Sequence, residues 1–246
     1  MAEKEMTFLE HLEELRQRII ISLIAVGIFF VISYIFSKQL LSFILLPYKK
    51  IVHQNPLVFI APVEAFLTYL KVAFFSGIFF ASPVIIYEFW AFVSPALYPH
   101  EKRIAIPILL LSVIFFVGGC AFCYFLVLPI GLKYLIVGFS SEMLAPMISV
   151  GKYLSFSLIF ILAFGLIFET PLILFFMNRL GLIELETLTK NRRVVIVGIF
   201  IIAAILSPPD VVSQVLLALP LILLYELTLI AIKIFGKGRK TFEKSH

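Results

Sequence analysis

The residues of this chain best able to do chemistry are carboxylates in unusual company. Glu169 stands in "FGLIFETPLILFF", residues 164–176, where only Gly165, Thr170 and Pro171 interrupt the apolar side chains. An ionised carboxylate in hydrocarbon is costly, so this one must be protonated, paired or wet. It suits a proton or cation site, a hydrogen-bonding docking point, or a group that satisfies backbone in its own bundle. A second acidic group, Glu10, Glu13 and Glu14, lies with Arg16 in "FLEHLEELRQRI", where Phe8, Leu12, Leu15 and Ile19 recur at helical spacing. That pattern describes an amphipathic helix, for which surface anchoring with solvated charges is the plain reading. In "YEFWAFVSPALYPHEKR", Trp90, Phe92, Pro95 and Tyr98 precede His100 and Glu101. An aromatic ledge beside a carboxylate fits a basic peptide with an apolar tail, and equally an interfacial aromatic belt. Glu88, one turn before Phe92, reads as an interfacial carboxylate that snorkels to water.

Other chemistry is poorly represented. Cys120 and Cys123 form a CxxC inside a long apolar run. It has no second ligand pair, helix start or electropositive setting, so both read as packing residues with no metal or cofactor. The chain has no HExxH, no GxSxG and no intramembrane aspartate pair, which argues against an enzyme.

These side chains must be positioned by membrane helices. The 246 residues are 62% hydrophobic and 14% charged, with mean hydropathy +1.11, far from soluble composition. Segments 19–36, 65–92, 104–128, 153–177, 194–206 and 211–232 read as spans, since about 20 apolar residues cross the hydrocarbon. The expected fold is all-α: one polytopic membrane domain over 1–246, with 1–18 as a surface helix and 233–246 as a basic tail. No cleavable signal peptide is expected, because the first 18 residues hold five glutamates where a basic n-region should be. With six spans, fourteen Lys and Arg fall on the side of the termini and five on the other, with Lys71 near the outer end of span two. The positive-inside rule then puts both termini in the cytoplasm.

Pro83, Pro107, Pro171 and Pro220 fall inside spans two, three, four and six, which suggests kinked helices in a concave, partly open bundle. Prolines are also simply common in membrane helices. Span five has only 13 apolar residues, about 20 Å of helix, roughly 10 Å short of a normal core. Segments 38–63 and 129–151 look like short interfacial helices and turns forming a cap. No internal repeat is evident, whereas many transporters show two related halves.

Four blocks in order, "HLEELRQR", "WAFVSPALYPHEKR", "FGLIFETP" and "LSPPDVVSQ", resemble the TatC family, membrane receptors of the twin-arginine translocation system, which exports folded proteins. The resemblance covers nearly the whole chain. It implies a receptor for signal peptides bearing two adjacent arginines, with Glu14 and Glu101 as the acidic contacts and Arg16 and Phe92 at positions tied to the same recognition. Pro47, Asp210 and Gln214 match family positions on the outer side, and Glu169 matches one within the membrane. Single-span TatA- and TatB-type partners, energy from the transmembrane proton gradient and an inner-membrane location are also implied. Glu169 is then read as a docking point for a partner's helix. On residue pattern alone the leading reading is different: an ion-coupled small-solute transporter using Glu169.

Overall fold

A computed structural model of the chain describes residues 8–52, 57–93, 102–138, 147–206 and 211–235. Those residues are almost wholly helical, and their only pairing of extended backbone is one isolated parallel bridge between Val58 and Ser149. Among them, five helical stretches are long and apolar enough to cross a membrane: Leu9–Ile35, Pro62–Val93, Pro107–Ile136, Val150–Arg179 and Gln214–Phe235. Many of their large apolar side chains point outward, Leu23, Leu110 and Ile114 each being at least 60% exposed. Hydrocarbon rather than water suits such a surface, and helices keep their backbone polar groups satisfied inside it. The chain is a polytopic, multi-pass membrane protein. It divides into two compact units, Met1–Gly165 and Leu166–His246.

In the first unit, α1 (Phe8–Ile35) packs along much of α4 (Pro62–Val93). α1 runs without a break, so the segment read as a surface helix and the first span are one element. The pair meets closely at Gly77: a Cβ built there would stand 2.9 Å from Phe30 Cα and N. Glycine is what permits that approach. α4 joins α5 (Lys102–Phe122) through a buried hydrogen bond from Trp90 Nε1 to Ser112 Oγ, 2.9 Å, which gives the indole N–H a partner away from water. α5 continues through a π-helical turn at Cys123–Val127, α6 (Leu128–Leu132) and a second π turn at Lys133–Val137.

Cys120 and Cys123 are both buried and free. Cys120 lines an apolar cavity of about 220 Å³ with Phe43, Phe75, Phe79 and Tyr124, and its sulfur would be 2.6 Å from a Cβ at Gly165.

The cap at the Ile35 end of α1 is built from α2 (Ser37–Ile44), α3 (Leu46–Ile51) and the start of α7 (Val150–Phe168). Tyr124 donates to the carbonyl of Phe43 (2.7 Å) and Tyr153 to that of Ile44 (3.0 Å), while Tyr48 meets Tyr153 edge-on. Burial pushes the Tyr48 phenol above its ordinary pKa, so it stays neutral. Pro47 is buried in the first turn of α3, where a missing N–H costs nothing.

In the second unit, α8 (Thr170–Arg179) ends in a glycine cap. Gly181 takes φ +74, its N–H reaches Asn178 O at 3.0 Å, and Leu182 N reaches Met177 O at 2.9 Å. α9 (Leu185–Lys190) and α10 (Arg192–Leu206) follow, and α11 (Val211–Phe235) packs against α8 and α10. α10, where the fifth span is expected, has 15 residues, about 22 Å of helix. It is not among the five stretches of spanning length.

Candidate functional site

At its Phe8 end, α1 presents Glu14 and Arg18 one turn apart on a single face. That face meets the far end of α4, which supplies Glu88 and Phe92. The Arg18 guanidinium forks between the two helices. Its Nη1 donates to Glu88 Oε2 at 2.8 Å and its Nη2 to Glu14 Oε1 at 3.0 Å. Charge-assisted bonds of this kind are the strong ones, and arginine's planar fork suits them. Exposure grades across the group: the Glu88 side chain is 8% exposed, Glu14 19% and Arg18 28%. Beside them the His11 ring stacks on Phe92, centroids 4.3 Å apart and planes 11° from parallel. His11 Nδ1 lies 3.8 Å from Glu14 Oε2, an oxygen that is buried and accepts no hydrogen bond from the described residues.

The structure therefore brings two expected site residues, Glu14 and Phe92, to one patch, bridged by His11. Arg16 points elsewhere and pairs with Glu13 at 3.1 Å in an exposed contact, worth about 0.3–0.5 kcal/mol. Glu101 lies outside the described residues. Glu88 is a correction to the expected snorkelling carboxylate: it is buried and held by Arg18, because a carboxylate at a helix interface gains more from a guanidinium across it than from reaching for water. Arg18 escaped sequence reasoning as well. Its spacing from Glu14 was a usable signal for half of the cluster, whereas Glu88 is 70 residues away.

Glu169 sits where α7 ends at Phe168 and α8 begins at Thr170. Pro171 lacks the N–H that an unbroken helix would use. Around the break, Glu169 N donates to Leu166 O at 3.1 Å, and the Glu169 carbonyl accepts from Leu172 N (3.0 Å) and Ile173 N (2.9 Å). Its side chain is buried, the residue being 7% exposed. Gln214, near the start of α11, donates from Nε2 to Phe200 O in α10 at 3.0 Å. It ties the two helices together, while Asp210 lies outside the described residues.

A further carboxylate performs structural work that the sequence did not suggest. Glu64, in the first turn of α4, accepts through Oε2 from Ile60 N (2.6 Å) and Ala61 N (3.4 Å). Through Oε1 it accepts from the Ser149 hydroxyl and from Gly151 N, the latter at 2.9 Å. It clasps the starts of α4 and α7 beside the Val58–Ser149 bridge. No group of three or more His, Cys, Asp or Glu suited to a metal occurs among the described residues.

Comparison with known proteins gives this arrangement its context. The family described as "Sec-independent protein translocase protein (TatC)" matches residues 10–220. The TatC protein of Desulforapulum autotrophicum is 44% identical over 98% of this chain and 90% of its own length. That of Aquifex aeolicus is 42% identical over 98% and 100%. A solved structure titled "Crystal Structure of Twin Arginine Translocase Receptor- TatC" superposes with TM-score 0.84 at 43% identity, covering 92% of this chain and 99% of that one. A second, of the same receptor in DDM, gives 0.85 at 43% over 93% and 100%. The helical, polytopic fold agrees with these solved structures, and the chain belongs to the TatC family of protein translocase components, not to a family of enzymes.

Proposed function

We propose that this chain is the signal-peptide receptor of a twin-arginine translocase in the inner membrane, and that the patch around Glu14 and Phe92 engages the paired arginines. The observation that carries the reading is the patch itself: Glu14 holds a guanidinium through one oxygen, its other oxygen accepts no hydrogen bond from the described residues, and both lie next to a stacked aromatic pair. A carboxylate beside an aromatic face can accept an arginine fork and pack the apolar residues that follow it. Glu101 supplies the second acidic contact, while Arg16, which faces away from the patch and pairs with Glu13, acts from a neighbouring face of α1. Family membership leaves the small-solute transporter without support.

In this reading six spans, α10 being the short fifth, place both ends in the cytoplasm. Pro47, Asp210 and Gln214 belong to the opposite side, and Glu169 receives a polar residue from the helix of a TatA- or TatB-type partner. Export of folded cargo draws on the transmembrane proton gradient. Labelling that finds a cysteine at Gln39 accessible from the cytoplasm would overturn the topology. The recognition role is tested by crosslinking: a photoreactive residue replacing Phe92 should capture a twin-arginine signal peptide, and the capture should fall when the arginines become lysines. Equal capture of both peptides would remove the assignment.

A further inference from the structure

Arg18 already holds one oxygen, Oε1, of the carboxylate that the proposed function gives to the signal peptide, and it has a second holder in Glu88. Glu14 is the more open of its two partners, at 19% side-chain exposure, and Glu88 the more buried, at 8%. Arg18 is itself the most exposed of the three, at 28%, on a long side chain that can rotate. We propose that the Arg18–Glu88 pair is a handover device for the proposed arginine site: an incoming guanidinium takes Glu14, and Arg18 withdraws wholly to Glu88.

The inference rests on the signal-peptide reading of Glu14 and goes beyond it by giving roles to two residues that the reading leaves out. Removing one partner of a part-buried ion pair leaves an uncompensated charge and is strongly destabilising. If Glu14 were the sole holder of Arg18, each binding event would strand that cation against the α1–α4 interface. With Glu88 2.8 Å from Nη1, Arg18 keeps a charged partner throughout. Arg18 is thus an internal competitor for Glu14, and Glu88 is a positioning residue that acts through Arg18.

The prediction is a suppression pattern measured on the full chain in detergent, by titration with a synthetic twin-arginine peptide and its Lys-Lys counterpart. Glu88→Gln removes the second holder, so Arg18 grips Glu14 alone and Arg-Arg affinity falls at least about fivefold, the low end of ordinary coupling between two ligands. Adding Arg18→Gln removes the competitor, and affinity returns to within about twofold of wild type or better, the scatter expected of additive changes. The rescue should persist near 1 M salt, where the Debye length is about 3 Å and long-range attraction is screened. A purely structural ion pair would give no rescue, because the double variant also lacks the pair. A double variant as weak as Glu88→Gln, or a rescue that vanishes in high salt, overturns the handover. Should the double variant not fold, Arg18→Lys in the Glu88→Gln background replaces it. A point charge grips Glu14 less firmly than a fork, so affinity must rise above that of Glu88→Gln alone, and no rise overturns the proposal. Failure of the underlying reading looks different: wild type would not distinguish Arg-Arg from Lys-Lys, or Glu14→Gln would leave Arg-Arg affinity unchanged.

Discussion

Gly77 in α4 lies against the main chain of Phe30 in α1, so close that a Cβ on Gly77 would be 2.9 Å from Phe30 Cα and N and 3.3 Å from the carbonyl carbon of Phe29. Backbone cannot swing aside as a flexible side chain can, so a larger residue at 77 must push α1 off α4. Gly77→Ala should destabilise the solubilised protein by about 1–3 kcal/mol, the usual cost of overpacking. Gly27→Ala is the control, since nothing lies within 4 Å of its Cβ position and alanine is the better helix former. Thermal unfolding in detergent that ranks the two substitutions equally would contradict this packing.

Glu64 offers acceptors to two backbone N–H groups of its own segment and to Gly151 N and the Ser149 hydroxyl of another. Glutamine keeps one acceptor oxygen and turns the other position into a donor facing donors. Glu64→Gln should therefore loosen the joint between the starts of α4 and α7, because N–H groups that now meet an acceptor would face a second donor. Faster amide exchange at Val58 and Val150, whose N–H groups bond across the bridge at 3.1 Å, is the expected readout. Unchanged protection of both would refute the clasp.

Glu169, buried at the α7–α8 break, should be replaceable by a neutral group that still hydrogen-bonds. Glu169→Gln is expected to retain substantial export. Glu169→Leu should fold and bind signal peptide, yet lose crosslinks to a partner helix, because helix association in lipid depends on packing and interhelical hydrogen bonds. Leucine exporting and crosslinking like wild type, or glutamine as inactive as leucine, would sink the docking role.

Much of this architecture is legible in the residues because hydrocarbon leaves few options. Apolar runs of spanning length can only be helices, and Pro171 announces the break beside Glu169. The 13 apolar residues of 194–206 likewise forecast a helix as short as α10. The continuity of α1 is harder to see. A surface segment and a span share helical periodicity, and between Phe8 and Ile35 only Gly27 weakens the helix. The candidate site was half legible: Glu14 and Phe92 came from the resemblance to the TatC family, whereas Glu88 looked like a rim residue because its partner lies on another helix. Glu64 was invisible for a similar reason, since three of its four donors are backbone amides, whose positions no side-chain pattern records.

The central claim is that the face containing Glu14 recognises two adjacent arginines by their forks, and one titration tests it most directly. The full-length protein in detergent is titrated with a twin-arginine signal peptide and with the same peptide carrying two lysines, for wild type and for Glu14→Ala with Glu101→Ala. Charge-assisted hydrogen bonds are worth about 1.5–3 kcal/mol each, so wild type should bind the Arg-Arg peptide at least about tenfold more tightly than the Lys-Lys peptide. The double variant should lose that preference. Equal affinity of wild type for the two peptides, or an undiminished Arg-Arg preference in the double variant, would contradict the account.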